Sequence, residues 1–364
     1  MSYPTLINLS NLSKDDYKVN KPLALFDLDF TLIKPKSNKK VVTDADDWGF
    51  LNEHVEKNIQ KFSKTYHIII VTNQKILSKS DLNKNNWIEK INNIIKILSI
   101  KIEIFAALKD DFYRKPCIGI FDIIKEKYCF DINSSFFCGD AAGRENDFSD
   151  SDLKFAKNCG LRFVLPEKIF KNEYVNLPTK YVNLPTKYVN LPTKYVNLPT
   201  KYVKTLKFKP KQKEMLIFVG FPASGKSSIS KQIQRKNPSY KIINRDTLKT
   251  IKKCEKTTEE EIKKGYSIII DNTNPTKENR NIFIKIAKKY KYSIRCIEID
   301  CSKELAMHNN AYRNYKYKIE RIPEIAYNVF IKRYEKPSLD EGFDEIITLE
   351  PYKPKDLDYL LFYY

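Results

Sequence analysis

The sequence predicts an α/β protein built from two doubly wound parallel-sheet domains that are joined by a repeat linker. Three observations predict this fold class. Apolar runs of strand length alternate with stretches of helical periodicity in both halves of the chain. Acidic, hydroxyl-bearing or glycine residues end several of these runs, and ligands of parallel sheets lie at the carboxyl ends of the strands. A heptapeptide repeated four times separates the two halves.

Length and charge set limits on this organisation. The chain has 364 residues, which is room for two domains that each bury a core, and we place them at 1–173 and 215–364, with the linker at 174–214. The first domain has 27 basic and 24 acidic residues, the linker 9 and 1, and the second domain 29 and 20, within a net charge of +20. This excess favours nucleic acid or an anionic membrane as partner, although an AT-rich genome also yields lysine-rich chains.

Cysteine usage and apolar runs bear on the compartment. Seven cysteines are scattered without a Cys-x-x-Cys pair or a histidine at ligand spacing, which predicts a reducing compartment without structural zinc or disulfides. The N-terminus lacks a signal-peptide pattern, and no apolar run approaches the ~20 residues that span a bilayer. We expect a soluble, intracellular, monomeric protein that does not bind membranes. Nucleus, cytoplasm and a viral replication compartment stay open.

The linker reads Tyr-Val-Asn-Leu-Pro-Thr-Lys four times from residue 174 to residue 201. A seven-residue period is also typical of coiled coils. The proline in each repeat excludes a helix here, because each proline removes a helical hydrogen bond at a cost of ~3 kcal/mol or more. The repeat therefore predicts an extended spacer of up to ~3.3 Å per residue, and its lysines could add weak contacts to phosphate.

The strands and helices follow in chain order. In the first half we predict strands at 23–26, 67–71, 136–138 and 161–165. The clearest helix there has one apolar face, formed by Trp87, Ile88, Ile91, Ile94, Ile95 and Leu98. In the second half we predict strands at 215–219, 268–270 and 295–299, and helices after Gly225 and around 281–290. Five polar or glycine residues then fall at strand ends, namely Asp27, Thr72, Asp140, Gly220 and Asp271.

The first candidate site begins with Asp27-Leu-Asp-Phe-Thr31, which directly follows a buried strand. Asp27 can attack phosphorus while Asp29 protonates the leaving oxygen, and this covalent scheme divides one difficult step into two. Because clustered carboxylates repel each other, such a site requires a divalent cation and a nearby cationic side chain.

The rest of the first half supplies those partners. Lys115 can balance the charge, and Thr72 and Asn73 can bind phosphoryl oxygens. Asp140 can complete a magnesium site with oxygen ligands. The sequence therefore predicts a phosphate-removing site.

The second candidate site is Gly220-Phe221-Pro222-Ala223-Ser224-Gly225-Lys226-Ser227, between a strand and a helix. Backbone N–H groups of such a loop surround the phosphates of a nucleoside triphosphate. Lys226 would contact the β- and γ-phosphates, and the Ser227 hydroxyl would bind magnesium.

Later motifs indicate a kinase. Asp246 could accept a proton from an attacking hydroxyl, and Arg245 could hold an acceptor phosphate. Asp271 resembles an acidic element that orients magnesium. Arg280 and Arg313 are candidates for a lid over the triphosphate.

The first set of motifs resembles the four motifs of the haloacid dehalogenase superfamily of phosphatases. The resemblance implies that Asp27 is the nucleophile and Asp29 the general acid/base, and we predict that Asp27, Asp29 and Asp140 bind the metal. One common form of the first motif has glycine at position 30, and we interpret Phe30 as a change in the pocket wall. Either Asp147 or Asp152 could supply a further carboxylate to the site, and their spacing in the sequence does not decide between them.

Longer strings resemble bifunctional polynucleotide kinase 3′-phosphatases. Tyr113-Arg-Lys-Pro116 and Gly139-Asp-Ala-Ala-Gly-Arg144 match the phosphatase half, and Asp271-Asn-Thr-Asn-Pro275 and His308-Asn-Asn310 match the kinase half. The order, phosphatase first, is that of eukaryotic and viral forms. We expect no phosphopeptide-binding module before the phosphatase motifs. Alanine at 311, where another lid arginine is expected, favours Arg313 as the lid residue.

The resemblance implies a pair of reactions on DNA ends. These are hydrolysis of 3′-phosphates and ATP-dependent phosphorylation of 5′-hydroxyls, with Mg²⁺ at both sites, which prepare a strand break for ligation. An RNA-end-healing enzyme would use the same chemistry and stays an alternative. A fused kinase and phosphatase for small metabolites is disfavoured by the charge. A non-catalytic end-binding protein is disfavoured because every proposed catalytic residue is present.

Overall fold

The computed structural model describes residues 5–37, 44–171 and 209–351. The heptapeptide repeat, predicted to be an extended linker, lies outside these residues. The chain divides into two compact units, one containing the elements up to Ile169 and the other those from Glu214 onward, except that Ala311–Arg321 groups with the first. Within the described residues, no helix is both long enough and apolar enough to cross a membrane.

The first unit contains a six-stranded sheet in the order β1-β6-β5-β2-β7-β8. Its strands are β1 (Leu6–Ser10), β2 (Leu23–Phe26), β5 (His67–Asn73), β6 (Ile102–Ala107), β7 (Phe136–Cys138) and β8 (Arg162–Val164). All neighbours run parallel except β1, which pairs antiparallel with β6 at the edge. A small antiparallel ribbon joins β3 (Ile33–Lys34) to β4 (Gly49–Phe50).

Helices cover both faces of this sheet. They are α1 (Val55–Thr65), α2 (Asp81–Leu98), α3 (Gly119–Lys127), α4 (Ser151–Cys159) and the short α5 (Pro166–Ile169). Successive residues of β2 point to opposite faces. Phe26 therefore packs with residues of α1 and α2, whereas Leu25 packs with residues of α3 and α4.

Helix α2 is the predicted amphipathic helix. The Ser80 hydroxyl caps it by accepting a hydrogen bond from the Asn83 N–H, and the helix ends where Ser99 turns left-handed. Trp87, Ile91 and Ile94 are buried at the expected three- to four-residue spacing, because this face packs on the sheet.

The second unit contains a five-stranded, fully parallel sheet in the order β10-β11-β9-β12-β13. The strands are β9 (Glu214–Val219), β10 (Tyr240–Ile243), β11 (Ser267–Ile270), β12 (Ser293–Ile299) and β13 (Glu345–Leu349). The helices are α6 (Lys226–Lys236), α7 (Arg245–Leu248), α8 (Ile251–Lys263), α9 (Lys277–Lys289), α10 (Lys303–Tyr317) and α11 (Glu324–Arg333). Alternate residues of β9 pack against α8 and α9 on one face and against α6, α10 and α11 on the other.

This architecture confirms the predicted fold class of two doubly wound parallel sheets. Every predicted strand is present within about one residue of its expected bounds, apart from β5 and β12, which extend two residues further. Two strands of each sheet were not predicted, namely β1 and β6 of the first and β10 and β13 of the second. The five residues expected at strand ends all lie at or just beyond the carboxyl ends of β2, β5, β7, β9 and β11.

Candidate active sites of the two units

The first site lies where β2, β5 and β7 end side by side. The Asp27 N–H donates to the carbonyl of Cys138 (2.8 Å), which fixes the end of β2 against β7. The Lys115 ammonium lies 2.6 Å from Asp27 Oδ1 and 2.8 Å from Asp152 Oδ1. Lys115 and Asp152 are almost fully buried, so the two carboxylates and the ammonium form a tight ionic cluster.

Asp29 and Asp140 are held by neutral side chains. Gln74 Nε2 donates to Asp29 Oδ2 (2.6 Å) and to the Thr72 hydroxyl (3.0 Å). The Thr31 hydroxyl donates to Asp140 Oδ1 (3.2 Å) and accepts from the Asp140 N–H (3.1 Å). These contacts bring the predicted residues of the first motif, the second strand and the fourth strand into one site.

Burial shifts the pKa values of the acidic groups of this site. Burial raises the pKa of Asp29 above its ordinary value, although the charge of Lys90 opposes the shift. Burial, together with the charge of Asp27, raises the pKa of Asp140 to about 6. Burial alone would lower the pKa of Lys115, but Asp152 and Asp27 raise it. The ammonium therefore stays charged and stabilises the carboxylates.

The carboxylates also fit a divalent cation. Oxygens of Asp27, Asp140 and Asp152 lie within 4.8 Å of one another. Burial raises the pKa of Asp152, although the charge of Lys115 opposes the shift. Hard cations such as Mg²⁺ and Ca²⁺ take carboxylate oxygens as ligands, and several carboxylates in one buried place favour a bound cation.

The structure selects Asp152 over Asp147 as the additional carboxylate of the site. Asp147 accepts from the Arg144 guanidinium (2.9 Å) and from the N–H groups of Ala142 and Arg144 (3.0 Å each), so it shapes the loop after β7. Asp152 lies in the first turn of α4 and contacts Lys115 directly.

Asn73, which we predict to bind phosphoryl oxygens, pairs with the main chain of Lys115. Its amide accepts from the Lys115 N–H (2.9 Å) and donates to the Lys115 carbonyl (3.1 Å). Asn73 therefore positions the main chain of Lys115.

Phe30 adopts a backbone conformation that explains why glycine suits this position. Its φ angle is +58°, in the left-handed region, and its N–H donates to the Ile33 carbonyl (2.7 Å) to close the turn. A residue with a Cβ in this region costs about 1–2 kcal/mol. The Phe30 side chain is 45% exposed.

The second site is the loop between β9 and α6. Gly220, Ala223 and Gly225 all have positive φ, which turns the backbone around a concave centre. The Lys226 ammonium is buried and donates to the carbonyls of Gly220 (2.9 Å) and Phe221 (2.5 Å). The N-terminus of α6 follows at once, so a phosphate in this loop would face its N–H groups.

The end of β11 connects this loop to the candidate acceptor side. The Thr273 carbonyl accepts from the Gly220 N–H (3.3 Å), and the Asn274 amide donates to the Phe218 carbonyl (2.8 Å). The side-chain oxygen Oδ1 of Asn272 accepts from the Arg245 N–H (2.8 Å), at the start of α7. Arg245 and Asp246 are exposed on that short helix.

Asp271 fits the predicted role of an acidic group beside a cation. It is nearly buried, and its Oδ1 atom has no hydrogen-bond partner within the described residues. Burial raises the pKa of Asp271, while a hydrogen bond from Ser227 and the charge of Lys226 oppose the shift. An unpartnered buried carboxylate oxygen beside a hydroxyl is a suitable pair of ligands for a hard cation.

Of the two lid candidates, Arg280 does not reach the phosphate loop. Its guanidinium is fully buried, donates to both oxygens of Glu341 (2.6 and 2.7 Å) and donates to the carbonyls of Asn274, Pro275 and Glu335. All its donor groups serve the fold, so the prediction for Arg280 is wrong. Arg313 is partly exposed on α10, one turn after Asn309, which donates to the Ala223 carbonyl of the loop (3.0 Å).

Sequence reasoning did not predict several of these contacts. Gln74 holds Asp29, Thr31 holds Asp140, and Asn309 joins α10 to the phosphate loop. All three lie inside or next to recognised motifs, which was the available signal. Their roles depend on which distant side chain each one meets.

Comparison with known proteins decides the family. A protein of Schizosaccharomyces pombe named bifunctional polynucleotide phosphatase/kinase is 36% identical over 332 residues, which is 90% of this chain and 79% of that protein. This chain belongs to the bifunctional polynucleotide phosphatase/kinase family. A protein of Acanthamoeba polyphaga mimivirus, whose name gives the same two activities, is 35% identical over 389 residues, across 96% of this chain and 90% of its own.

Separate matches fall within the two halves of this phosphatase/kinase. The family described as polynucleotide kinase 3 phosphatase matches residues 22–170, which include every residue of the first site. The polynucleotide 3′-phosphatase of Saccharomyces cerevisiae is 30% identical over 218 residues, covering 44% of this chain and 91% of that protein. An AAA domain family matches residues 249–337. The predicted family is therefore confirmed, together with its use of a nucleotide and of a divalent metal.

Proposed function

We propose that this phosphatase/kinase processes DNA ends, removing 3′-phosphates at the first site and phosphorylating 5′-hydroxyls with ATP at the second. The observation that carries the proposal is the pairing, in one chain, of the buried Lys115–Asp27–Asp152 cluster with the Gly220–Ser227 phosphate loop. The family assignment and the excess of basic residues support a polynucleotide as the substrate.

In the proposed phosphatase reaction, Asp27 attacks the phosphorus of the terminal phosphate and forms an aspartyl phosphate. Asp29 gives its proton to the departing 3′-oxygen, and its raised pKa suits it to hold that proton. Asp29 then accepts a proton from water, which attacks phosphorus and releases Asp27. Gln74 keeps Asp29 in place during both steps.

Two other side chains would bind the phosphoryl oxygens. The buried Lys115 ammonium already faces Asp27, so it lies where negative charge develops in the transition state. The Thr72 hydroxyl lies at the carboxyl end of the neighbouring strand. A magnesium ion held by Asp27, Asp140 and Asp152 would neutralise charge on the phosphate.

In the proposed kinase reaction, Lys226 and the backbone of the Gly220–Ser227 loop bind the phosphates of ATP. Asp246 accepts the proton of the attacking 5′-hydroxyl, and Arg245 holds the adjoining phosphate of the acceptor strand. Magnesium bound by Ser227 and Asp271 would neutralise the transferred group. Arg313 on α10 would contact the same phosphates.

We further propose that the protein acts as a monomer in a reducing intracellular compartment. All seven cysteines are free thiols, and six of them are buried. Imaging a fluorescent fusion in the native host would test the compartment, and sedimentation would test the monomer.

The function is tested with one DNA oligonucleotide that carries a 5′-hydroxyl and a 3′-phosphate, incubated with ATP and magnesium. We expect Asp27→Asn to lose only 3′-phosphate removal and Lys226→Ala to lose only 5′-phosphorylation. An RNA oligonucleotide of the same sequence, run in parallel, measures the preference between the two nucleic acids. If the wild type hydrolyses p-nitrophenyl phosphate but leaves both DNA ends unchanged, the proposal is wrong.

A further inference from the structure

Phe30 combines two properties that rarely occur together. Its backbone lies in the left-handed region, which disfavours bulky side chains, and its aromatic ring is 45% exposed. Within the described residues, the ring of Phe30 makes no aromatic or cation–π contact. The ring of Phe26, by contrast, packs edge-on against Phe136. Contacts within the described residues therefore offset little of the free-energy cost of this backbone conformation.

The position of Phe30 in the first site is fixed by its neighbours. It directly follows Asp29 and directly precedes Thr31, which is buried and bonded to Asp140. The ring is thus carried by the same turn that holds the proposed nucleophile and general acid. Its N–H bond to Ile33 closes this turn and limits its movement.

The chemistry of the first site places the end of the substrate strand beside this ring. Asp29 must lie within hydrogen-bond distance of the 3′-oxygen that it protonates. That oxygen is bonded to the terminal sugar, which in turn carries the terminal base. The last nucleoside must therefore lie next to Asp29, and an exposed aromatic ring at the adjacent residue can stack on a base of any sequence.

We propose that Phe30 is a specificity-determining residue that stacks on the terminal base of a strand bearing a 3′-phosphate. This inference rests on the proposed function and extends it, since it makes the first site selective for nucleotide ends over simple phosphate esters. Stacking requires only the face of the base, so the selectivity is for a base as such and not for a sequence.

The test compares two oligonucleotides that end in a 3′-phosphate, one with a terminal thymidine and one with a terminal abasic sugar. The variants are Phe30→Gly and Phe30→Asn, which remove the ring and accept the left-handed backbone, and Phe30→Tyr, which keeps the ring. We expect the wild type to favour the thymidine substrate in kcat/KM by roughly 5- to 100-fold. Both ring-less variants should lose that preference, and Phe30→Tyr should keep it.

A second measurement separates recognition from folding. Because glycine and asparagine tolerate this backbone, the midpoint of thermal unfolding of both ring-less variants should be unchanged or higher. Equal losses on both substrates would show that Phe30 only shapes or shields the turn, and would overturn the inference, as would a wild type without base preference. Failure of the proposed function would give a different result: the wild type would hydrolyse p-nitrophenyl phosphate but would remove the 3′-phosphate from neither oligonucleotide.

Discussion

Asp152 occupies the space that a side chain at Gly139 would need. A Cβ built on Gly139 overlaps the carboxylate and the Cβ of Asp152, so only glycine at this position lets Asp152 reach Lys115. The Ala141 N–H donates to the other oxygen of Asp152 (3.1 Å), which fixes the carboxylate from the same loop. Glycine directly after β7 is therefore required by the space that the ionic cluster occupies, and not by its backbone conformation, because the φ of Gly139 is not positive.

Replacing Gly139 should damage the first site alone. We expect Gly139→Ala to push Asp152 away from Lys115 and to lower 3′-phosphatase kcat/KM by about 100-fold, since an error of about 1 Å in a catalytic site has effects of that size. Kinase activity should remain. The matched control is Gly49→Ala, because nothing lies within 4 Å of a Cβ at that position. Normal phosphatase activity in Gly139→Ala would contradict the assignment of Asp152 to the site.

The roles of the two alternative carboxylates can be separated directly. We expect Asp152→Asn to lower phosphatase activity and divalent-cation affinity by about 10- to 100-fold, because the cluster loses a charge that faces Lys115. Asp147→Asn should have a much smaller effect, since Arg144 keeps its second ionic partner, Glu167. Steady-state assays over a magnesium titration measure both quantities. A larger loss in Asp147→Asn would reverse the assignment.

The buried Arg280 should contribute to the stability of the second unit. We expect Arg280→Met to destabilise the second unit by about 3–5 kcal/mol, because it leaves the Glu341 carboxylate buried without its partner. Calorimetry should show this, and phosphatase activity should persist. Arg313→Met is the contrasting variant, for which we expect a stability change within about 0.5 kcal/mol and a kinase loss of about tenfold or more. An unchanged unfolding midpoint in Arg280→Met would contradict the structural role.

Asn272 should affect the reaction of the acceptor strand, because its side chain holds the main chain at Arg245. We expect Asn272→Ala to lower kcat/KM for the 5′-hydroxyl oligonucleotide by about 3- to 10-fold, the effect of one lost hydrogen bond, with little change in KM for ATP. Asn272→Asp keeps an oxygen for the Arg245 N–H and should recover part of the loss. Asn237→Ala removes a comparable amide bond at the end of α6 and serves as the control. An equal rise in KM for ATP would show that Asn272 acts on the phosphate loop instead.

Binding of a divalent cation should stabilise the first unit. With magnesium at 100 times its dissociation constant, we expect about 2.7 kcal/mol of stabilisation, or a rise of about 5–10 °C in its unfolding midpoint. The rise should disappear on chelation and in Asp140→Ala. It should persist in Asp15→Asn, which changes an exposed carboxylate. A rise of the same size in Asp140→Ala would place the cation elsewhere.

Much of the fold and of both sites could be predicted from sequence because the signals are local. A buried strand such as β2 is a continuous apolar run, and the Asp27 and Gly220 motifs each follow such a run directly. Strand β6 was missed because Glu103 interrupts its apolar run. This carboxylate is buried, and the Tyr128 hydroxyl and the Asn8 amide donate to it from outside the strand.

The sequence by itself determined the two sheets and the family, since both follow from short-range patterns of apolar residues, glycine and acidic side chains. Only the tertiary structure decided between Asp147 and Asp152, assigned Arg280 to the fold and showed why position 139 is glycine. Those outcomes depend on which charges are buried together, and the free energy of a buried charge is set by partners that lie far away along the chain.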